Sequence, residues 1–220
     1  MKFKIITLFP EFVESLKEYS VIGRAIDKKL IKVETINLRN FGVGKHKQVD
    51  NKPYGGGVGM LLRVDVMAQA IKFAKDKSKP KKTKVILLSP QGKQFDQEKA
   101  IELSDFDEIV LVCGHYEGFD ERIRSLIDEE ISIGPYILTG GEIPAMTVID
   151  SISRLKKGVL GKTESYKTET FTTVGDKKII EYPQYTRPET YGKVKVPEVL
   201  LSGDHKKIKG WQNKYTRKIP

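Results

Sequence analysis

The stretch EIVLVCGHYEG, residues 108–118, indicates the fold of this chain more clearly than any other. Its apolar run has the length and composition of a buried β-strand, and it ends in a polar segment bounded by glycines. A second such run, residues 85–88, ends in Ser-Pro-Gln-Gly, and a third, residues 130–133, leads into a glycine-rich turn. Helical patterns at residues 96–103 and 120–127 separate the three runs, so we predict an α/β fold with a parallel sheet.

The regions on either side extend the same alternation. We predict strands at residues 2–9 and 31–38, a helical region at 12–30 in two pieces, and helices at 64–75 and 142–155. Asp96 is predicted to begin its helix, because its carboxylate can accept hydrogen bonds from the free amides of the first turn. The spacing of apolar residues assigns a buried face to two helices: Val64, Met67, Ala68, Ile71 and Ala74 in the first, and Ile143, Met146, Ile149 and Ile152 in the second.

The expected ligand site lies where the predicted strands end. Ligands of open parallel sheets bind beyond the carboxyl ends of the strands. Three loops there, residues 89–92, 114–118 and 134–141, are rich in turn-forming residues. The last of them mixes apolar side chains with glycines, which suits a pocket for a flat heterocycle or, equally, an ordinary strand-turn-helix connection.

The charge of the chain favours a nucleic-acid partner. The formal net charge is +10 and the isoelectric point about 9.4. The excess is concentrated in two lysine clusters, residues 77–84 and 206–218. Such clusters attract phosphate backbones without reading sequence, so nucleic acid is favoured over an acidic protein or a membrane surface.

Several other classes are disfavoured. No apolar run approaches the roughly 20 residues of a membrane span, and the first residues lack the apolar core of a signal peptide, so we expect a cytoplasmic protein without a membrane partner. Cys113 is the single cysteine and no Cys/His cluster has zinc-ligand spacing, so we expect no metal site, and a buried thiol rather than a nucleophile.

Other candidate residues remain ambiguous on chemistry alone. The four glycines of residues 55–59 suit either close approach of the backbone to a ligand or a flexible hinge. Glu117, at the tip of a predicted strand, is a functional candidate. Arg154 is equally explained as a cation at a helix C-terminus, and Glu169 as a solvated carboxylate.

The chain resembles the bacterial tRNA (guanine-N(1)) methyltransferases in six separate strings that occur in the family's order. The first is HKQVDNKPYGGGVGM, residues 46–60, and the second is LSPQG, residues 88–92. The third is CGHYEGFDER, residues 113–122, and the fourth covers residues 132–146 and then IDSISR, residues 149–154. The strings PQYTRP, residues 183–188, and residues 197–202 match the C-terminal part of the family.

The resemblance implies an architecture that periodicity does not reveal. It implies an α/β parallel sheet of the SPOUT type with a C-terminal trefoil knot, followed by a small α-helical domain. We therefore expect a knotted catalytic domain at residues 1–157, a flexible linker at 158–188 and a short helical tRNA-binding domain at 189–220. Many members continue with a further basic helical stretch. The family is also homodimeric, with each active site built from both chains.

The resemblance also assigns functional residues. It implies S-adenosyl-L-methionine as the methyl donor and tRNA as the substrate, and it leaves Mg²⁺ open as an additional cofactor. Glu169 matches the general base, Arg154 the cation at the exocyclic oxygen of guanine, and Glu117 a residue near the guanine and the donor. The positions that match the donor site are Pro90, Gly114, Tyr116, Ile133, Gly134, Pro135, Tyr136, Ile137, Leu138, Gly140 and Gly141.

Two of these positions depart from the family pattern. The family's base is an aspartate, whereas Glu169 carries one more methylene. Pro135 stands where members often have aspartate, which removes one backbone donor and one charge. The predicted activity is methylation of N(1) of the guanine just 3′ of the anticodon. The departures keep open the alternative of a non-catalytic or altered-specificity RNA-binding protein of the same fold, whereas the first string and Tyr-Thr-Arg-Pro at residues 185–188 argue against a knotted methyltransferase for another RNA position.

Overall fold

The chain forms two compact units. The computed structural model describes residues 1–18, 20–76, 82–161, 169–174 and 177–219. Unit 1 spans Met1–Gly161 and unit 2 spans Lys162–Pro220. Most of the lysine cluster at residues 77–84 and most of the threonine-rich segment at 161–176 lie outside the described residues.

Unit 1 contains the predicted parallel sheet. Its five strands pair in the order β2-β1-β6-β5-β7, and every pairing is parallel. All six residues of β6 are buried, as expected for a central strand covered on both faces. The strands are β1 (Lys2–Thr7), β2 (Lys32–Asn37), β5 (Thr83–Gln94), β6 (Glu108–Cys113) and β7 (Glu129–Ser132), with a separate short pair, β3 (Asp50–Asn51) and β4 (Leu61–Leu62).

Helices cover both faces of this sheet. The helices of unit 1 are α1 (Pro10–Glu14), α2 (Ser20–Asp27), α3 (Val64–Asp76), α4 (Gln97–Ser104) and α5 (Glu142–Ser153), with 3-10 helices at Ser15–Lys17, Leu38–Phe41 and Glu121–Leu126. Alternate strand residues point to opposite faces, so Ile109 and Leu111 pack with α1, α2, α4 and α5, whereas Val110 and Val112 pack with α3. Asp96 caps α4 as predicted, since its carboxylate accepts a hydrogen bond from the Lys99 amide at 2.9 Å.

Two of the four residues predicted for the buried face of α5 are buried, and the other two are not. Ala145, Val148, Ile149 and Ile152 are buried, whereas Ile143 is 46% exposed. The helix is apolar on more than one side, so periodicity alone could not select its orientation. The hydrogen bond that Thr7 donates to the buried Glu142 carboxylate fixes the first turn against β1. The face of α3 is similarly displaced, because Val66 and Ala70 are buried with Met67, Ile71 and Ala74, whereas Val64 and Ala68 are only partly covered.

Unit 2 contains strands as well as helices, including short strands within residues 189–220, where a small helical domain is expected. Its elements are β8 (Thr173–Val174), β9 (Lys177–Ile180), β10 (Thr190–Tyr191), β11 (Val194–Lys195), α6 (Glu198–Leu201), α7 (His205–Tyr215) and β12 (Arg217–Ile219). β9 pairs with both β8 and β12, and Trp211 on α7 packs against Tyr182, Tyr185 and Tyr215. Strands of two to four residues have too few positions to show alternation, so the sequence pattern does not reveal β8 and β9 within the linker predicted at residues 158–188.

None of the described helices combines the length and hydropathy needed to cross a membrane.

Candidate active site

A cavity of about 550 Å³ lies at the carboxyl ends of β5, β6 and β7. Its walls are the loop at residues 89–92 within β5 and the two loops that follow β6 and β7, and the first turn of α5 contributes Pro144. The volume falls in the range of small-molecule sites, and the position beyond the strand ends is the one expected for this class of sheet.

The first wall forms where β5 bends across β7. Ile131 faces both Leu88 and Lys93, so residues 89–92 bulge out of the register between the two pairings. A Cβ atom at Gly92 would lie 2.5 Å from the backbone nitrogen and carbonyl carbon of Ile131. Only glycine permits this close approach, which holds the 89–92 loop over the end of β7.

The second and third walls are joined through the backbone. The Gly141 amide donates to the Gly114 carbonyl at 2.8 Å, and His115 bridges to Gly140. A Cβ atom at Gly141 would lie 2.6 Å from the Cys113 Cα atom, so the segment entering α5 can pass this closely only as glycine. Backbone groups therefore form much of the cavity floor.

Glu117 lies at the rim of the cavity and also contacts the glycine-rich loop of residues 55–59. The Glu117 amide donates to the Met60 carbonyl at 3.1 Å, and the Leu62 amide donates to the Gly118 carbonyl at 2.9 Å. A Cβ atom at Gly59 would collide with the Glu117 side chain. The first and third family strings, more than fifty residues apart in sequence, thus meet at one exposed carboxylate.

Beneath the cavity lies a buried polar pair. Thr7 donates to the Glu142 carboxylate at 2.6 Å, and the Phe9 amide donates to the Thr7 hydroxyl at 2.9 Å.

Burial, together with the nearby Glu142, holds the pKa of the Cys113 thiol well above its ordinary value. A thiol protonated at neutral pH is a poor nucleophile, which agrees with the structural role predicted for Cys113.

The cavity collects ten of the eleven positions predicted for the donor. The members that line it are Pro90, Gly114, Tyr116, Ile133, Gly134, Tyr136, Ile137, Leu138, Gly140 and Gly141. Pro135 is exposed and does not line the cavity, because Tyr136 turns back on Gly134 and Ile133 through two hydrogen bonds, one from its amide and one from its hydroxyl.

The two remaining catalytic candidates belong to different units, and each is described within its own. Arg154 is the residue that ends α5, at the opposite end of the helix from the cavity, and its amide donates to the Asp150 carbonyl. Glu169 belongs to unit 2, where its carbonyl accepts a hydrogen bond from the Thr172 amide. The adjoining Phe171 amide donates to the Ile179 carbonyl at 2.7 Å, so the turn that carries Glu169 is fixed to β9.

Comparison with known proteins identifies the family. The sequence profile of the family described as tRNA (Guanine-1)-methyltransferase TrmD matches residues 1–219. The chain belongs to this family.

Individual relatives agree along nearly the whole chain. A protein of Clostridium perfringens named tRNA (guanine-N(1)-)-methyltransferase is 50% identical over 214 residues, which cover 97% of this chain and 87% of the relative. Proteins with the same name from Clostridium botulinum and Staphylococcus haemolyticus are 49% and 48% identical, covering 96% and 97% of this chain and 85% and 84% of the relatives.

Sequence reasoning missed several residues that line the cavity, notably Gln91, His115, Glu121 and Arg124. His115 packs its ring between Phe9 and Tyr116, with centroids 5.2 and 4.7 Å away. Arg124 contacts Gln91, Glu121 and Glu130, although its sequence context resembled an ordinary charged helix surface. Within the described ranges, no group of three or more His, Cys, Asp or Glu side chains is arranged to hold a metal ion.

Proposed function

We propose that this protein transfers a methyl group from S-adenosylmethionine to N(1) of the guanine just 3′ of the anticodon in tRNA. The observation that carries the proposal is that three of the family's strings converge on one cavity, with Glu117 at its rim. The family to which the chain belongs and the names of its relatives support the same reaction. A tRNA substrate also agrees with the cytoplasmic location expected from the sequence.

The cavity fits the proposed donor. Its glycine floor exposes backbone groups that can hydrogen-bond to an adenine or ribose, and Ile133, Ile137 and Leu138 offer apolar contact to a flat ring. When bound, S-adenosylmethionine supplies an electrophilic methyl on a sulfonium. The protein has only to align this methyl with the attacking nitrogen and to exclude water.

The attacking nitrogen must first lose a proton. Guanine N(1) carries a hydrogen, so its lone pair becomes available only when a base removes that hydrogen, and we assign this role to Glu169. The negative charge left on the ring spreads to the exocyclic oxygen, where the guanidinium of Arg154 would stabilise it. To Glu117, which lies at the rim of the cavity, we assign the orientation of the guanine next to the methyl group.

The length of α5 supports a homodimer with shared sites. The helix begins beside the cavity and continues for 12 residues before Arg154, which corresponds to about 18 Å at 1.5 Å per residue. That distance is well beyond the reach of an arginine side chain. A cavity in one protomer and Arg154 of the same protomer therefore would not form one site, whereas Arg154 from a second copy would complete it.

Exposed apolar side chains on and next to α1 and α5, two helices in contact with each other, support the same arrangement. Phe9 and Phe12 are 42% and 48% exposed, on the segment that includes α1, and Ile143 is exposed on the first turn of α5. Apolar residues concentrated on one surface are typical of a subunit interface.

The trefoil knot remains part of this proposal. β7 and the segment that follows it contact the two preceding loops: Ile131 of β7 lies against Gly92, and Gly141 lies against Gly114. These two close contacts are where a threaded segment would pass.

A methylation assay tests the activity. The protein is incubated with labelled S-adenosylmethionine and an unmodified tRNA transcript, and the nucleosides are then separated. We expect 1-methylguanosine, and we expect none when the guanine 3′ of the anticodon is replaced by adenine. Binding of S-adenosylmethionine without any methylated product, or equal labelling of both transcripts, would contradict the proposal. Lack of donor binding would favour the non-catalytic RNA-binding alternative.

A further inference from the structure

The guanidinium of Arg124 joins three parts of the cavity wall. Its Nε atom donates to Glu130 at 2.9 Å and its Nη2 atom donates to the Gln91 side-chain oxygen at 2.6 Å, while its Nη1 atom donates to Glu121. Glu130 lies on β7, Gln91 in the loop within β5, and Glu121 at the start of the 3-10 helix that follows β6. One side chain therefore connects segments from all three strands that end at the cavity.

Glu130 extends this network to a second position of the same loop. The Ser89 hydroxyl donates to the Glu130 carboxylate at 2.5 Å, and the Gln91 amide donates to the Ser89 oxygen at 3.0 Å. The loop that carries Pro90 is thus held on both sides of that proline. Burial alone would raise the pKa of Glu130, but the hydrogen bonds from Arg124 and Ser89 outweigh it, so the pKa is lowered and the carboxylate stays charged at neutral pH.

The geometry of the guanidinium matters for this arrangement. Arginine presents a planar fork of donors and can serve several acceptors in fixed directions, whereas a lysine ammonium is a single point of charge. We infer that Arg124 is a positioning residue that orders residues 89–91 for the methyl donor, and this inference rests on the proposed function of the cavity.

Affinity for S-adenosylmethionine, measured by calorimetry without tRNA, tests the inference. Arg124→Gln should raise the Kd for S-adenosylmethionine by about 10-fold, the order of effect expected for one lost hydrogen bond to a charged group. Arg124→Lys should bind nearly as weakly, because it retains the charge but not the fork. Full affinity in either variant would overturn the inference.

Arg122 provides a matched control. It lies on the same 3-10 helix and forms an ion pair with Asp120, but it is 68% exposed and does not line the cavity. Arg122→Gln should keep the Kd within about twofold of the parent, as expected for an exposed ion pair. If the parent protein does not bind S-adenosylmethionine, the proposed function fails. If the parent and the Arg124 variant both bind it tightly, the inference about Arg124 fails while the proposed function stands.

Steady-state kinetics separate positioning from general damage. For Arg124→Gln we expect a higher KM for S-adenosylmethionine, with kcat and the KM for tRNA close to those of the parent. A lower kcat together with higher KM values for both S-adenosylmethionine and tRNA, or a much lower melting temperature, would indicate a structural role and contradict the inference. If Arg124→Gln does not fold, Gln91→Met removes only the acceptor in the loop. It should still weaken donor binding, and parental affinity in that variant would overturn the inference.

Discussion

At the scale of single residues, Glu169 carries the most demanding part of the proposed mechanism. The family resemblance places an aspartate there, and glutamate extends the carboxylate by one methylene. The Thr172 amide donates to the Glu169 carbonyl, and the Phe171 amide donates to the Ile179 carbonyl, so the backbone of this turn is fixed. The conformation of the Glu169 side chain must therefore compensate for the additional methylene. A displacement of about 1 Å can cost about 100-fold in rate, which makes this position a sensitive test.

We predict that Glu169→Gln abolishes most methyl transfer and leaves S-adenosylmethionine binding nearly unchanged. Glutamine keeps the shape and removes the proton acceptor. Glu169→Asp should keep activity. Single-turnover assays at saturating tRNA provide the measurement.

The exposed Glu189 of unit 2 is the control, and Glu189→Gln should transfer methyl groups at the parental rate. A parental rate in Glu169→Gln would show that the base lies elsewhere, with Glu117 as the next candidate.

At the scale of elements, a network of charges ties α4 to two strands of the sheet. Lys84 on β5 and Lys99 on α4 both contact Glu129 on β7, at 2.6 and 2.8 Å, and both contact Glu102. Burial alone would raise the pKa of Glu129, but hydrogen bonds from the two lysines outweigh it, and the pKa is lowered. A carboxyl group with a lowered folded-state pKa stabilises the fold above its unfolded pKa, and this stabilisation is lost as the pH falls.

We therefore predict that Glu129→Gln lowers the free energy of unfolding by about 1–2 kcal/mol at pH 7, because Glu129 is mostly buried and doubly paired. The difference from the parent should shrink as the pH falls from about 5 towards 3, where the parental carboxylate becomes protonated. Urea unfolding at a series of pH values measures it. Glu18→Gln, at an exposed position, serves as the control. A difference that stays constant down to pH 3 would contradict the assignment.

The positions of most strands were predictable from the sequence, whereas the close contacts between them were not. The strands β1, β5 and β6 were predictable because each contains an apolar run followed by turn-forming residues, and β7 because it leads into a glycine-rich turn. Their carboxyl ends located the cavity in turn. The crossing of Gly92 over Ile131 was not predictable, because glycines that permit such an approach look the same in sequence as glycines in any turn.

The contacts of Arg124 were hidden for a different reason. Its partner Gln91 lies 33 residues earlier, in the loop within β5, and the two side chains meet only once the sheet has brought this loop and the 3-10 helix together. The spacing of apolar residues could not predict the orientation of α5 either, since this orientation depends on the hydrogen bond between Thr7 and Glu142. Long-range contacts of these two kinds set the details of the site, while local patterns set its position.

At the scale of the whole molecule, the charge of +10 predicts a tRNA complex that depends strongly on salt. In the described part of unit 2, Lys206, Lys207, Lys209 and Lys214 are exposed on α7, with Arg217 and Lys218 close by on β12. Each phosphate contact releases counterions when it forms.

We predict that the Kd for tRNA rises steeply between about 50 and 200 mM salt. Replacing Lys206 and Lys209 by glutamine should reduce the slope of log Kd against log salt by about 2, because each phosphate contact contributes close to one unit. Filter binding over a salt series provides the slope. The same change at Lys28 and Lys29, exposed in unit 1, is the control and should leave the slope intact. A Kd independent of salt would contradict electrostatic binding.

We propose that the cavity of one protomer and Arg154 of another form one methyl-transfer site. Heterodimers that carry Glu117→Ala in one chain and Arg154→Ala in the other can be isolated with two different affinity tags. Each variant as a homodimer should lose about 100-fold or more in rate, because Arg154→Ala removes a charge-stabilising group and Glu117→Ala removes a group that orients the guanine.

In the heterodimer, one site combines the intact cavity of one chain with the intact Arg154 of the other, and the second site carries both changes. The single-turnover methyl-transfer rate per dimer should therefore return to about half that of the parent, as two-fold symmetry requires. If each chain used its own Arg154, both sites would keep one defect, and a rate that stays at the level of the variant homodimers would contradict the account.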